Sequence, residues 1–214
     1  MLIDAIKKPV RRLRRLRNDK ALEAFVPGID AFLISYPKSG RTWLRYLLSC
    51  YFAHAGKVDF EPDLRSTFRV LPNFDQDEER GLPAFVGKRE GLPLIAVSHR
   101  PFDPRFFGGR PLIFQVRDPR DVCVSAYFHE TRHKQRFNGD ISAFIEDEQR
   151  GIPAIIAYHN GWAAPVAKGP SVVVSYEEMS DDTASAVTRI LEFLGLDVDQ
   201  AALASAIKRR ASTR

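Results

Sequence analysis

The stretch Ala31-Phe32-Leu33-Ile34-Ser35-Tyr36-Pro37-Lys38-Ser39-Gly40-Arg41-Thr42-Trp43-Leu44 changes character twice. It opens as a short apolar run of strand length. A segment with proline, lysine, serine and glycine follows, which is the composition of a turn. Leu44, Leu47, Leu48, Tyr51 and Phe52 then recur at helical spacing and give one core-facing stripe. The unit is strand, turn, helix. Such a turn leads into a helix N-terminus, where the first N–H groups lack acceptors and the dipole is positive. Gly40 lets the backbone approach an anion, Lys38 adds a mobile charge, and Ser39 and Thr42 add hydroxyl donors. The turn reads as a phosphate or sulfate cradle, with an ordinary strand-to-helix turn as the alternative. The G-x-x-x-x-G-K-[ST] pattern is absent, which counts against an ATP or GTP hydrolase.

Three more apolar runs lie downstream. Leu94-Ile95-Ala96-Val97 ends at Ser98-His99, Leu112-Ile113-Phe114-Gln115-Val116 ends at Arg117, and Val172-Val173-Val174 ends at Ser175-Tyr176. A helix is expected directly after Arg117, with Asp118 as N-cap, Pro119 in the first position and Asp121 in the first turn. Helical patterns run over 141–150 and 153–167. Asp181 or Asp182 caps another helix that Gly195 closes after about Leu194, and a short helix covers 199–210. Residues 56–92 are rich in Pro, Gly and charge and read as a long loop. Continuous apolar strands alternating with helices predict an α/β fold, a three-layer sandwich with a central parallel sheet. Ligands bind such sheets beyond the carboxyl ends of the strands. Polar residues following all four runs would therefore converge on one edge.

Charge is distributed unevenly over the 214 residues. Residues 1–20 hold eight basic and two acidic residues, a net +6, whereas the remainder is close to neutral at −1. A nucleic-acid-binding surface would spread Lys and Arg over a face of the fold, so no nucleic-acid partner is expected. Ile3, Ile6, Val10 and Leu13 are helically spaced within the basic segment, and Pro9 interrupts them. The segment reads either as a solvated terminus or as a basic amphipathic helix for an anionic membrane surface. No run approaches the ~18 apolar residues of a membrane span, and no signal-peptide pattern is visible. The expected setting is cytoplasmic, with or without peripheral attachment to a membrane. Cys50 and Cys123 sit in apolar helical stretches and read as buried free thiols. No Cys/His cluster has metal-ligand spacing, so no metal is expected.

Two motifs carry a family resemblance. Tyr36-Pro37-Lys38-Ser39-Gly40-Arg41-Thr42-Trp43 resembles the 5′-phosphosulfate loop of sulfotransferases that use 3′-phosphoadenosine 5′-phosphosulfate (PAPS). Arg117-Asp118-Pro119-Arg120-Asp121, with Ser125 eight residues after the arginine, resembles the 3′-phosphate motif of the same family. Tyr176-Glu177-Glu178-Met179 resembles a third family segment, and Gly40-Arg41-Thr42 with Leu44-Arg45 resembles bacterial members. The resemblance implies a domain over 26–214 that moves a sulfuryl group from PAPS to an acceptor hydroxyl or amine. Lys38 would stabilise the leaving phosphate. Ser39, Gly40, Arg41, Thr42 and Trp43 would hold the cofactor, the Trp43 face serving adenine. Arg117 and Ser125 would bind the 3′-phosphate, and Tyr176 would touch the cofactor edge. The product would be 3′-phosphoadenosine 5′-phosphate (PAP). A nucleotide kinase and a non-catalytic adenosine-nucleotide-binding protein are the alternatives.

His99 stands where the family has its general base, a role suited to imidazole near neutral pH. The family's usual K-T-H or K-S-H reads Val97-Ser98-His99 here, so one active-site cation is replaced. His54, His129, His133 and His159 read as structural. Phe60, Phe68, Phe74, Phe85, Phe102, Phe106 and Phe107 either line an apolar acceptor pocket or simply pack. A family segment of the form R-K-G-x-x-G-D-W is missing before Arg214, although Lys208, Arg209 and Arg210 are basic. The chain is then either a piece of a longer protein or a short variant, and weak PAP binding is expected of it.

Overall fold

The four apolar runs form the parallel strands β1 (Ala31–Ser35), β2 (Ile95–Ser98), β3 (Leu112–Val116) and β4 (Ser171–Ser175). The structure, a computed structural model, describes residues 17–84 and 91–211. The amphipathic pattern Ile3 to Leu13, Phe85 and Arg214 lie outside these residues. Spatial order is β2-β1-β3-β4. In register, β1 sets Ala31 opposite Ile95 on one side and Phe32 opposite Leu112 on the other. Residues of β1 and β2 are buried throughout, which is why both read as unbroken apolar runs.

Alternate side chains divide between two layers of helix. Leu33, Val97, Ile113 and Val174 pack with Leu44, Leu47 and Leu48 of α1 (Arg41–His54). The segments later in the chain were expected to be helical, and four of them are α2 (Pro119–Phe128), α3 (Ile141–Glu146), α4 (Ile152–Lys168) and, after a one-and-a-half-turn α5 (Tyr176–Asp181), α6 (Thr183–Phe193). The last is α7 (Gln200–Ala211). Val187, Ile190 and Leu191 of α6 and Leu203 of α7 complete the α1 face. On the opposite face Phe32, Ile34, Leu112 and Phe114 meet Phe106, Phe107 and Trp162. Each such buried side chain contributes roughly 1.5–3 kcal/mol relative to exposure. The result is the expected three-layer α/β sandwich.

Three local readings change. Residues 56–92 include a helical turn, Thr67–Val70, and a segment tied to the edge of β2. Phe74 N donates to Val97 O and Val97 N to Pro72 O, each at 2.8 Å. Leu71, Phe74 and Leu82 are buried beneath this segment at irregular spacing, so no periodicity announces it. The pattern over 141–150 stops at Glu146 because Asp147 closes a turn: its carboxylate accepts the Gln149 amide at 2.9 Å and its carbonyl the Gly151 amide at 2.7 Å. Among the described residues the phenylalanines mainly pack, and Phe74 also borders a cavity. Phe74, Phe106 and Phe107 are in the core, Phe102 lies edge-on to Trp162, and Phe60 and Phe68 lie under Arg69 and Arg45.

Cys50 and Cys123 are buried free thiols, as expected, and burial pushes both above their ordinary range. No helix among the described residues is long and apolar enough to cross a membrane.

Candidate functional site

The turn after β1 contains two residues in the left-handed region, Lys38 at φ 72° and Gly40 at φ 90°. That conformation costs a residue with a Cβ roughly 1–2 kcal/mol, so Lys38 keeps it only if its surroundings hold the turn. Arg117 does this by donating from Nη1 to the Lys38 carbonyl at 3.3 Å. Gly40 is constrained twice. Besides its φ, an added Cβ would lie 2.5 Å from Tyr176 Cδ2 and 3.3 Å from Gln115 Nε2. Gly40 also ends the turn as the N-cap of α1, so the amides of the first helical turn open toward the space above the strand ends. Thr42 is exposed there, and Lys38 is half-buried. Ser39 is fully buried, and its hydroxyl has no hydrogen-bond partner among the described residues.

Arg117 follows β3 and Tyr176 follows β4. Their side chains meet, the guanidinium carbon lying 4.3 Å from the ring centroid. Tyr176 also meets Trp43 edge to face at 5.2 Å. Arg117 reaches Asp121 through Nη2 at 3.3 Å, while its Nε is buried without a partner among the described residues. Asp118 caps α2 as expected, accepting the Arg120 amide, and Pro119 occupies the first turn. Ser125 is half-buried one turn beyond Asp121 on the same face of α2, the face over which Arg117 lies. Lys38, Gly40, Trp43, Arg117 and Tyr176 thus form one connected group on the β3–β4 side of β1.

His99 lies on the other side of β1, directly after β2. Its Nδ1 is 2.6 Å from the Ser35 carbonyl oxygen. A carbonyl can only accept, so Nδ1 carries the hydrogen and Nε2 keeps the lone pair. Tyr158 donates to the same carbonyl at 3.0 Å. Burial, followed by the positive charges of Arg41 and Arg45, draws the His99 pKa down to about 4. The ring is therefore neutral at physiological pH. It shares a cavity of about 340 Å³ with Arg41, Asn73, Asp75, Ser98 and Arg100.

Residues 29–212 match the sulfotransferase domain family. The chain belongs to this family. Sulfotransferase 2B1 of Homo sapiens is 30% identical over 188 residues, which are 83% of this chain and 49% of that one. The 3-alpha-hydroxysteroid sulfotransferase of Cavia porcellus is 29% identical over 195 residues, 86% of this chain and 63% of that one. The chain spans about half to two thirds of the length of these relatives. Among solved structures, mouse sulfotransferase SULT7A1 complexed with PAP has a TM-score of 0.60 at 20% identity, covering 89% of this chain and 68% of that one. Retinol dehydratase in complex with androsterone and PAP has a TM-score of 0.55 at 20% identity, covering 83% and 62%. At these identities the structural likeness establishes the fold.

In this sulfotransferase-family chain, sequence reasoning passed over several residues that shape the site. Gln115 is buried in β3 beneath Gly40, its amide nitrogen 3.7 Å from Met179 Sδ. Its position inside an apolar run hid it, although a polar residue at the last-but-one place of a strand was a visible signal. A capping box links Ser175 and Glu178 and starts α5 at Tyr176, which fixes that tyrosine's direction. The S-x-x-E spacing was legible. Asn73 and Asp75 were not, because they come from the aperiodic segment beside β2. The side chain of Arg41 goes to the His99 cavity, whereas its position in the loop motif had suggested the cofactor. His159 makes an in-helix contact from Nδ1 to the Ile155 carbonyl at 2.8 Å, and His129 lies beside Glu130.

Proposed function

We propose that this chain carries the catalytic core of an enzyme that transfers a sulfuryl group from PAPS to an acceptor hydroxyl or amine. One observation carries the reading: the end of β1 has an anion cradle with a lysine on one side and a neutral imidazole on the other. The residues present fit the cofactor. Buried polar atoms are nearly always paired, and the orphaned Ser39 hydroxyl and Arg117 Nε both lie in the cradle group, where an anion would satisfy them. Membership of the family and the PAP in the two solved structures support the same choice.

When bound, PAPS would supply the sulfuryl group, leaving PAP as the acceptor oxygen or nitrogen takes it. Lys38 and the first-turn amides of α1 hold the 5′ end and offset the charge growing on the departing phosphate. His99 accepts the acceptor's proton at Nε2, while Ser35 fixes the ring through Nδ1. Arg117, through its planar donor fork, and Ser125 hold the 3′-phosphate. Trp43 and Tyr176, which meet edge to face, would hold the adenine. Arg41 contributes its backbone amide to the cradle. This is positioning and electrostatic catalysis, the same logic as phosphoryl transfer.

Thermal shift with PAP, ATP and AMP tests the proposal. PAP at a hundred times its dissociation constant should stabilise the fold by ~2.7 kcal/mol, and the other two far less. Equal stabilisation by ATP, or none by PAP, overturns it. Transfer itself is read by mass spectrometry as the gain of one SO₃ group on an acceptor pool incubated with PAPS.

A further inference from the structure

The order β2-β1-β3-β4 splits the polar edge in two. Residues assigned above to the cofactor follow β3 and β4, while His99 follows β2. The cavity beside His99 is therefore where an acceptor would have to sit. Its lining among the described residues is unlike an apolar pocket. Phe74 and Val97 border it but are 2% and 1% exposed, so they present almost no surface to it. Arg41, Asn73, Asp75, His99 and Arg100 are the residues that remain accessible there. Small-molecule sites usually carry a few placed polar groups, and here each of the accessible lining residues bears one.

Charges in the cavity are unevenly matched. Arg100 is held by Asp19, itself 5% exposed, at 2.7 Å. Arg45, behind the cavity, donates to Asn73 Oδ1 at 2.6 Å and lies over the Phe68 ring. Asp75 turns its Oδ1 to the Asp77 amide at 3.2 Å. The Arg41 side chain has no hydrogen bond and no ion pair among the described residues. Its cation is partly stripped of water, and burial lowers its pKa to about 10 even with Tyr158 and Asp75 nearby. A partly desolvated guanidinium that faces a cavity with no hydrogen-bond partner among the described residues is suited to bind an anion. Two cations, Arg41 and Arg45, outnumber the single carboxylate of Asp75 that acts on both.

Resting on the PAPS reading, we propose that the acceptor is a small polar molecule that carries an anionic group, a carboxylate or an equivalent oxyanion, beside the hydroxyl or amine to be sulfated, and that Arg41 binds this group. Arg41 takes a charged ligand on the acceptor side, where the family's lysine is replaced by the buried Val97. A neutral sterol offers no charge to Arg41 in this cavity.

The test measures binding to the PAP-saturated protein by calorimetry with two matched pairs: 4-hydroxyphenylacetate against its methyl ester, and glucuronate against glucose. The acid of at least one pair should bind tenfold or more tightly than its neutral partner, the scale of one charge-assisted hydrogen bond. Arg41→Gln should bring that ratio close to one while PAP affinity stays within a few-fold, and Arg41→Lys should retain part of the preference. Neutral partners that bind as well as the acids, no binding of either acid, or a preference that survives Arg41→Gln each overturn the proposal. If Arg41→Gln weakens PAP as much as the acid, Arg41 serves the cofactor and the proposal fails. A wild-type protein that does not bind PAP fails at the earlier step, which separates the two readings.

Discussion

His99 donates from Nδ1 to the Ser35 carbonyl oxygen across 2.6 Å, at the point where β1 and β2 both end. The bond selects one tautomer and leaves the Nε2 lone pair free of that carbonyl. Buried beside Arg41 and Arg45, the ring has its pKa drawn down from 6.5 to about 4. A base must be neutral to act, so activity is lost as pH falls through the pKa of the folded protein, and the depressed value moves that loss downward. The acid limb of kcat/KM should lie near pH 4, well below the limb of an ordinary imidazole at about 6.5. Arg41→Gln removes the larger of the two repelling charges and should move the limb upward. A limb near 6.5 in the wild type, or one unmoved in the variant, contradicts the electrostatic account.

Replacing the base separates chemistry from binding. His99→Ala should abolish most transfer, by ~10²-fold or more, with PAP affinity nearly unchanged because the ring lies across β1 from Arg117 and Tyr176. Stopped transfer assays and PAP titration on the same preparation check this. A large loss of PAP binding with the fold intact would reassign His99 to the cofactor.

Lys38 carries a different burden. Its ammonium is assigned to charge that develops only as the phosphate leaves. Lys38→Ala should therefore lower turnover by ~10²-fold or more while KM for PAPS rises less. Alanine keeps the cost of the left-handed φ of 72°, so the fold should be no more strained than before. Turnover within a few-fold of wild type would remove Lys38 from the mechanism.

The strand-turn-helix units were readable because each is a local signal. Ala31–Ser35 and Leu112–Val116 appear as the apolar runs themselves, and Asp118, Pro119 and Gly195 stand at the helix ends their chemistry prescribes. Helix α6 is capped by Asp182, one of the two candidates. What the sequence hid depends on contacts between distant residues. Asn73 reaches the site only because the segment 72–74 pairs with β2, a register that no local pattern encodes. Arg41 sits in a motif whose backbone serves one ligand while its side chain turns toward another. Spacing reports the first fact and is silent on the second. The direction of Tyr176 followed from a capping box, but its stacking on Arg117 required the order of β3 and β4 in the sheet.

Arg117 has two duties, and two variants can separate them. It holds the turn through the Lys38 carbonyl at 3.3 Å and is assigned to the 3′-phosphate. Ser125 lies on the same face of α2, and no contact links its hydroxyl to the turn among the described residues. Ser125→Ala should weaken PAP several-fold and leave adenosine 5′-phosphosulfate, which lacks the 3′-phosphate, unaffected. Arg117→Ala should weaken both ligands, PAP the more, because releasing the turn also loosens the 5′ site. Equal weakening of the two ligands by Ser125→Ala would refute the 3′-phosphate role.

Gly40 allows the sharpest structural test, because two independent constraints meet there. A Cβ would fall 2.5 Å from Tyr176 Cδ2, and the φ of 90° is unfavourable for any residue that has one. Gly40→Ala should thus destabilise the fold by ~1–3 kcal/mol and weaken PAP at the same time. Trimming the ring isolates the steric part. Tyr176→Ala in the Gly40→Ala background frees the space but leaves the backbone cost, so stability should recover in part only. PAP binding should not recover, because the trimmed ring no longer stacks on Arg117 at 4.3 Å or flanks the adenine. Such coupling between neighbours appears as non-additivity in a double-mutant cycle. Denaturant melts of the four proteins supply the stability arm and PAP titrations the binding arm. Additive destabilisation would mean that ring and turn are energetically independent, and would remove Tyr176 as the wall against which the cradle is built.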